Sequence, residues 1–316
     1  MSWFFLSLIA LLCWSGSDLF SKIGSKPDDK YSHWKMVVAV GLVMGLHALY
    51  EIVIGGVRIS FNDILVYMPA SAMYIVSMIF GYVGLRYIEL SVSSPICNSS
   101  GAIAAILCFI FLQQMPSAMQ WVAVVLVMLG VVGLGFAEMS ESDEVKMMRQ
   151  EKANVKYTKS WLALLLPVLY CIIDALGTFF DSVILREEDT GTFLDKVFPT
   201  VLDESVANVA YELTFLTMGI IAAIFVFGIK REKFMPKREG PKLLGGVCET
   251  AGQFAYIFAL SDTAHVGFSA AIISAYCALS VIWSRIFLKE KLSWKHYLAI
   301  AVAFVGIVLL GVLDEI

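Results

Sequence analysis

Stretches of roughly twenty apolar residues recur from one end of this sequence to the other, each long enough to cross about 30 Å of hydrocarbon as a helix. Only 16% of the 316 residues are charged, against about 25% in an ordinary soluble domain. Mean hydropathy is +0.79. A Rossmann-type enzyme or a secreted disulfide scaffold is excluded by that balance. A nucleic-acid partner is excluded by a net charge of −4 with no basic stripe. A transmembrane barrel would need short alternating segments, which the sequence lacks. The fold class is therefore an all-α polytopic membrane protein, with the lipid bilayer as its first partner.

Ten helices are placed at about 3–22, 34–55, 62–87, 91–112, 117–138, 160–185, 204–229, 241–262, 266–288 and 292–313. The segment Trp3–Phe20 has no basic residues before it, so it reads as the first helix rather than a cleaved signal. A charged linker, residues 139–159, divides a first five-helix repeat, 1–138, from a second, 160–316. The second half also carries an acidic segment, 186–205, between helices six and seven. All six cysteines lie inside apolar runs without C-x-x-C spacing, and read as small packing residues.

The halves are related. A shift of 176 residues lays Ser93–Gly135 on Ser269–Gly311 with 13 identities in 43 positions, among them Ile110-Phe111-Leu112 on Ile286-Phe287-Leu288. Five is an odd number, so a second copy enters the membrane from the opposite side. That makes an inverted-topology repeat, which secondary transporters close around a site near the midplane. Loops after odd-numbered helices hold 20 of the 23 basic residues; only Arg58, Arg186 and Lys196 lie on the other side. The positive-inside rule then places the linker in the cytoplasm, with both termini and the acidic segment outside, in a cell (cytoplasmic) membrane.

The run Ser284-Arg285-Ile286-Phe287-Leu288-Lys289-Glu290-Lys291-Leu292-Ser293, followed by Gly306 and Gly311, resembles the second repeat of EamA-type transporters, in the drug/metabolite transporter superfamily. Leu112-Gln113-Gln114-Met115-Pro116-Ser117 is a degraded copy, and Trp14-Ser15-Gly16 is similar to the family's Trp-Gly in helix one. The resemblance spans nearly the whole chain and implies a ten-helix transporter. Its motifs specify the family rather than a substrate. Many members are drawn with cytoplasmic termini; the charge bias here argues the reverse.

Ionisable groups inside apolar spans cost about 2.5–3.5 kcal/mol at mid-helix on insertion scales, so each is a functional candidate. Helix one carries Trp14 and Asp18 four apart on one face, and helix six repeats the pair as Tyr170 and Asp174, with Thr178 and Asp181 extending the stripe. Helix eight places Glu249, Gln253 and Tyr256 on one face, with Glu249 roughly 12 Å from the expected helix start. Glu212 beside Tyr211 in helix seven, Asn98 after Pro95 in helix four, Tyr276 in helix nine and Tyr74 in helix three complete the substrate- and proton-binding candidates. His47 and Glu51 form an i, i+4 pair that fits either a proton relay or a stabilised helix. Gly41 with Gly45, the cluster Gly130, Gly133 and Gly135, and Gly306 with Gly311 read as close helix contacts. Uncharged until their last residues, helices five and ten read as a supporting surface or the contact of a homodimer.

No Walker A loop, metal-ligand helix or nucleophile elbow occurs, so neither an enzyme nor any cofactor or metal is expected. The expected function is secondary active transport of a small polar, cationic or zwitterionic metabolite by alternating access, with a buried carboxylate as the natural proton carrier. The alternatives are a membrane-embedded lipid-modifying enzyme, which four scattered histidines support poorly, and a non-transporting receptor or scaffold.

Overall fold

The computed structural model describes residues 2–25, 29–85, 90–112, 116–139, 161–186, 191–290 and 292–314. The linker expected at 139–159 lies, apart from Met139, outside the described residues. Ten helices among those described are long and apolar enough to cross a membrane. These are span 1 (Trp3–Gly24), span 2 (Ser32–Val53), span 3 (Phe61–Gly84), span 4 (Ser93–Phe111), span 5 (Ala118–Ala137), span 6 (Leu165–Ile184), span 7 (Glu204–Ile229), span 8 (Pro236–Leu260), span 9 (Val266–Leu288) and span 10 (Trp294–Leu313). Local chemistry explains several ends. Ser60 and Asp63 form a reciprocal capping box that starts span 3, and Asp203 accepts from the Ser205 N–H to start span 7.

Two boundaries differ from expectation instructively. Span 8 begins at Pro236, five residues before the expected start, because proline at N1 needs no amide partner. The added turn carries Glu239 and Lys242 into a buried ion cluster. There Lys242 Nζ lies 2.8 Å from Glu239 and 3.7 Å from Asp29, while Lys35 Nζ lies 3.2 Å from Asp29. These pairs offset the intrahelical bond that Pro241 forfeits. Span 4, expected as one helix, is two, Leu90–Asn98 and Ser100–Phe111. Span 9 breaks likewise, at Ala275 between Val266–Ser274 and Tyr276–Trp283. Ser99 and Ala275 are equivalent under the 176-residue shift, yet Ala271 stands where the first half has Pro95. The break therefore does not depend on the proline.

Span 1 packs on span 8 and span 3 on span 6, while span 2 pairs with 7, 4 with 9 and 5 with 10. Exchanging each helix for its counterpart in the other half maps this set of pairs onto itself. Close approach is built from glycine where several of these pairs cross. A Cβ on Gly41 would run into Gly219 and the Phe215 carbonyl. One on Gly130 would meet Ala303, and one on Gly306 would meet Val127. Gly135, expected to pack closely too, faces open space, so only part of its cluster is a contact. Spans 5 and 10 lie against each other, and none of their residues lines the central cavity.

Because overpacking such a crossing costs about 1–3 kcal/mol, Gly219→Leu should lower the unfolding temperature of the detergent-purified protein clearly, while Gly135→Leu should leave it nearly unchanged. A scanning thermal-unfolding measurement of the two variants checks this.

Candidate functional site

The breaks in spans 4 and 9 meet at the centre of the molecule, where Gly101 lies against Ser274 and Ala270. Their flanking residues, Asn98, Ser100, Ser274 and Tyr276, open onto one shared cavity. Breaking a helix there lets polar side chains and loosened backbone face a hollow instead of lipid.

Nine of the ten candidate residues line this one cavity: Trp14, Asp18, Tyr74, Asn98, Tyr170, Asp174, Glu249, Gln253 and Tyr276. Asp18 accepts from Ser94 Oγ at 2.5 Å and Ser280 Oγ at 2.8 Å. Asp174 accepts from Ser100 Oγ at 2.8 Å and Ser77 Oγ at 3.4 Å. Each carboxylate is thus held by two serine hydroxyls, one of them from span 4. Glu249 lies beside Ser17 on span 1. It sits roughly 20 Å along span 8 from Pro236 at 1.5 Å per residue, near the middle of that helix and deeper than the sequence implied.

The aromatic side chains form one wall. Trp14 packs on Tyr256 with ring centroids 4.8 Å apart and on Tyr276 at 5.8 Å. Four donors in the cavity lining have no hydrogen-bond partner: the indole N–H of Trp14, the hydroxyls of Ser21 and Tyr82, and the side-chain amide nitrogen of Gln253, a residue only 1% exposed. Asn98 spends its amide nitrogen locally, on the Ser94 carbonyl at 2.8 Å. Among the described residues, no lysine, arginine or histidine lines the cavity. Near one end Lys22 donates to the Leu85 carbonyl at 2.9 Å, tying span 1 to the end of span 3.

Glu212 is the exception among the candidates. It is fully buried outside the cavity, in the seam of spans 2 and 7, with His47 Nδ1 2.8 Å from its carboxylate. His47 in turn approaches Glu51 at 3.8 Å, so the i, i+4 pair seen in the sequence is part of a three-residue set. Ser94, Ser100 and Ser280 did not stand out in the sequence, because serine in a packed span ordinarily marks close helix contact. The four-residue spacing of Ser94 and Asn98 along one helix face was the available signal, and only for Ser94. Cys97 also lines the cavity, alone among the six free cysteines.

The profile of the EamA-like transporter family matches residues 1–136 and 203–312. No match is found among curated proteins. Among solved structures, one titled only "Crystal structure of protein" superposes with a TM-score of 0.63 over 99% of this chain and 97% of its own, at 12% identity. That likeness concerns the fold alone.

Proposed function

The chain belongs to the EamA-like transporter family, of the drug/metabolite transporter superfamily, and from that premise we propose that it is a secondary active transporter of a small amine-bearing metabolite. The observation that carries this reading is the cavity itself: Asp18, Asp174 and Glu249 share one space with no cationic side chain among its described lining residues. Carboxylates left unpaired inside a membrane are costly, and a cationic ligand is the partner that relieves the cost. The aromatic rings of Trp14, Tyr256 and Tyr276, packed tilted and edge to face, suit an ammonium group as well. Trp14 and Gln253 offer two unpaired donors nearby. They favour a ligand that also carries an acceptor such as a carboxylate, hence a zwitterion over a bare amine.

Transport would proceed by alternating access. The two five-helix halves, inverted relative to each other, would rock about the broken crossing of spans 4 and 9, driven by an ion gradient. The mapped packing of the halves supports that symmetry. The charge bias supports a cell-membrane orientation with the linker in the cytoplasm and the termini outside.

Counterflow in proteoliposomes across a panel of amines and amino acids should show uptake of at least one zwitterion. If no amine or amino acid moves through folded protein, the reading fails. Glu249→Gln should weaken binding of the transported ligand by about thirtyfold, as expected where one member of an enclosed charge pair is lost. Glu212→Gln, outside the cavity, should leave that affinity within about threefold. Calorimetric titration of both variants measures the contrast. In a cysteine-free background, maleimide applied to intact cells should label Thr200→Cys at once, but Ser142→Cys only after permeabilisation.

A further inference from the structure

One carboxylate near the cavity plays no part in lining it. Asp181 is 0% exposed, two turns beyond Asp174 on span 6. Its partners are phenols. Tyr67 donates to Oδ1, and Tyr74 stands 3.4 Å from Oδ2. Tyr74 in turn lies 2.6 Å from the hydroxyl of Tyr256, in a contact where either oxygen can be the donor, and 3.2 Å from Thr178 Oγ1. Tyr74, Thr178 and Tyr256 all line the cavity, whereas Asp181 and Tyr67 do not. A chain of hydroxyls therefore runs from a sealed carboxyl group to the surface that a ligand would touch.

The groups facing Asp181 are Tyr67 and Tyr74 from span 3, Cys108 from span 4 beside Ser182, Tyr211 from span 7 and Tyr256 from span 8. On its own helix Asp174 lies two turns away. Arg186, just past the helix end, directs its guanidinium to the carbonyls of Val183 and Phe198 and to Asp195. Among the described residues Asp181 has no lysine, arginine or histidine partner.

We propose that Asp181 is the proton-coupling site of the transporter, and that Tyr74 and Tyr256 transmit its protonation state to the ligand cavity. The proposal rests on the transport reading above. Each phenol has one proton to give, which fixes the direction of the chain. With Asp181 ionised, Tyr74 donates to it, Tyr256 donates to Tyr74, and the lone pairs of Tyr256 face the cavity, where they accept from an ammonium N–H.

Protonation reverses every link. Tyr256 takes the excess proton of a hydronium ion in the cavity, leaving water, and passes its own to Tyr74, which passes its own to Asp181 Oδ2. One proton has entered and none has left. Asp181 now donates to Tyr74, Tyr74 donates to Tyr256, and Tyr256 points an O–H into the cavity at the ammonium. Binding of the cation and of the proton thus oppose each other without sharing a carboxylate. That opposition is the linkage an exchanger needs.

The test uses full-length protein in liposomes and the ligand identified by counterflow. Wild-type affinity should rise with pH, toward a limit of about tenfold per unit where one proton fully excludes the ligand. Asp181→Asn holds the protonated pattern permanently, its amide nitrogen donating to Tyr74. It should bind with the acid-side affinity of the wild type at every pH. It should keep counterflow and lose accumulation driven by a pH gradient. Asp181→Glu should restore a pH-dependent affinity. Tyr67→Phe removes a partner of Asp181 without touching the cavity, so its affinity curve should be displaced along the pH axis with unchanged limits. This second variant serves even where Asp181→Asn fails to fold.

The proposal is overturned if Asp181→Asn accumulates ligand under a pH gradient as the wild type does, or if its counterflow and accumulation fall together. It is overturned equally if the Tyr67→Phe curve superposes on that of the wild type. Counterflow in the wild type with no response to a pH gradient would refute the coupling and leave the transport reading standing. Absence of counterflow in the wild type would refute the transport reading itself.

Discussion

Charge in a low-dielectric interior must be paired, hydrogen-bonded or neutralised, and this molecule handles its ionisable groups in two contrasting ways. At one end of the bundle, Asp29, Glu239, Lys35 and Lys242 are buried together, acids and bases in equal number. They join the approach to span 2 with the first turns of span 8. In the centre, Asp18, Asp174 and Glu249 face a hollow in which serine hydroxyls are the hydrogen-bond donors and no described lining residue carries a positive charge. The first arrangement is complete within the protein. The second lacks a cation, and the helix breaks, the serines and the aromatic wall are arranged around that lack.

The scaffold serves this centre. Pairing of spans across the halves puts counterparts opposite each other, so the two Trp/Tyr-x-x-x-Asp motifs reach the same cavity from spans 1 and 6. Glycine at the 2–7 and 5–10 crossings brings backbones together and leaves spans 4 and 9 to cross at their breaks. The 176-residue shift maps one break onto the other, so the local loss of helix does not depend on Pro95, which span 9 lacks.

Much of this was legible in the sequence. Hydropathy located all ten spans, because a bilayer fixes both the length and the composition of what crosses it. Isolated acids in apolar runs pointed to the cavity for the same reason, and Asp18, Asp174 and Glu249 do line it. Helix facing could not be read so well. Glu212 differs from Glu249 only in the neighbour it meets, and His47 comes from a distant part of the chain. Span 8 starts a turn early at a proline, and that turn is held by Lys35, 3.7 Å from Glu239, which no local pattern announces. The roles of Ser94, Ser100 and Ser280 depend on which side chain stands across the helix seam, and periodicity carries no information about that.

The central claim is that the hollow is built for positive charge. Its most direct test is a pair of ligands of equal shape, a quaternary ammonium alcohol and its uncharged carbon isostere, titrated into the purified protein under identical conditions. The account predicts that the charged member binds about a hundredfold more tightly, a difference of roughly 2.8 kcal/mol. Equal affinities, or a preference for the neutral isostere, would contradict it.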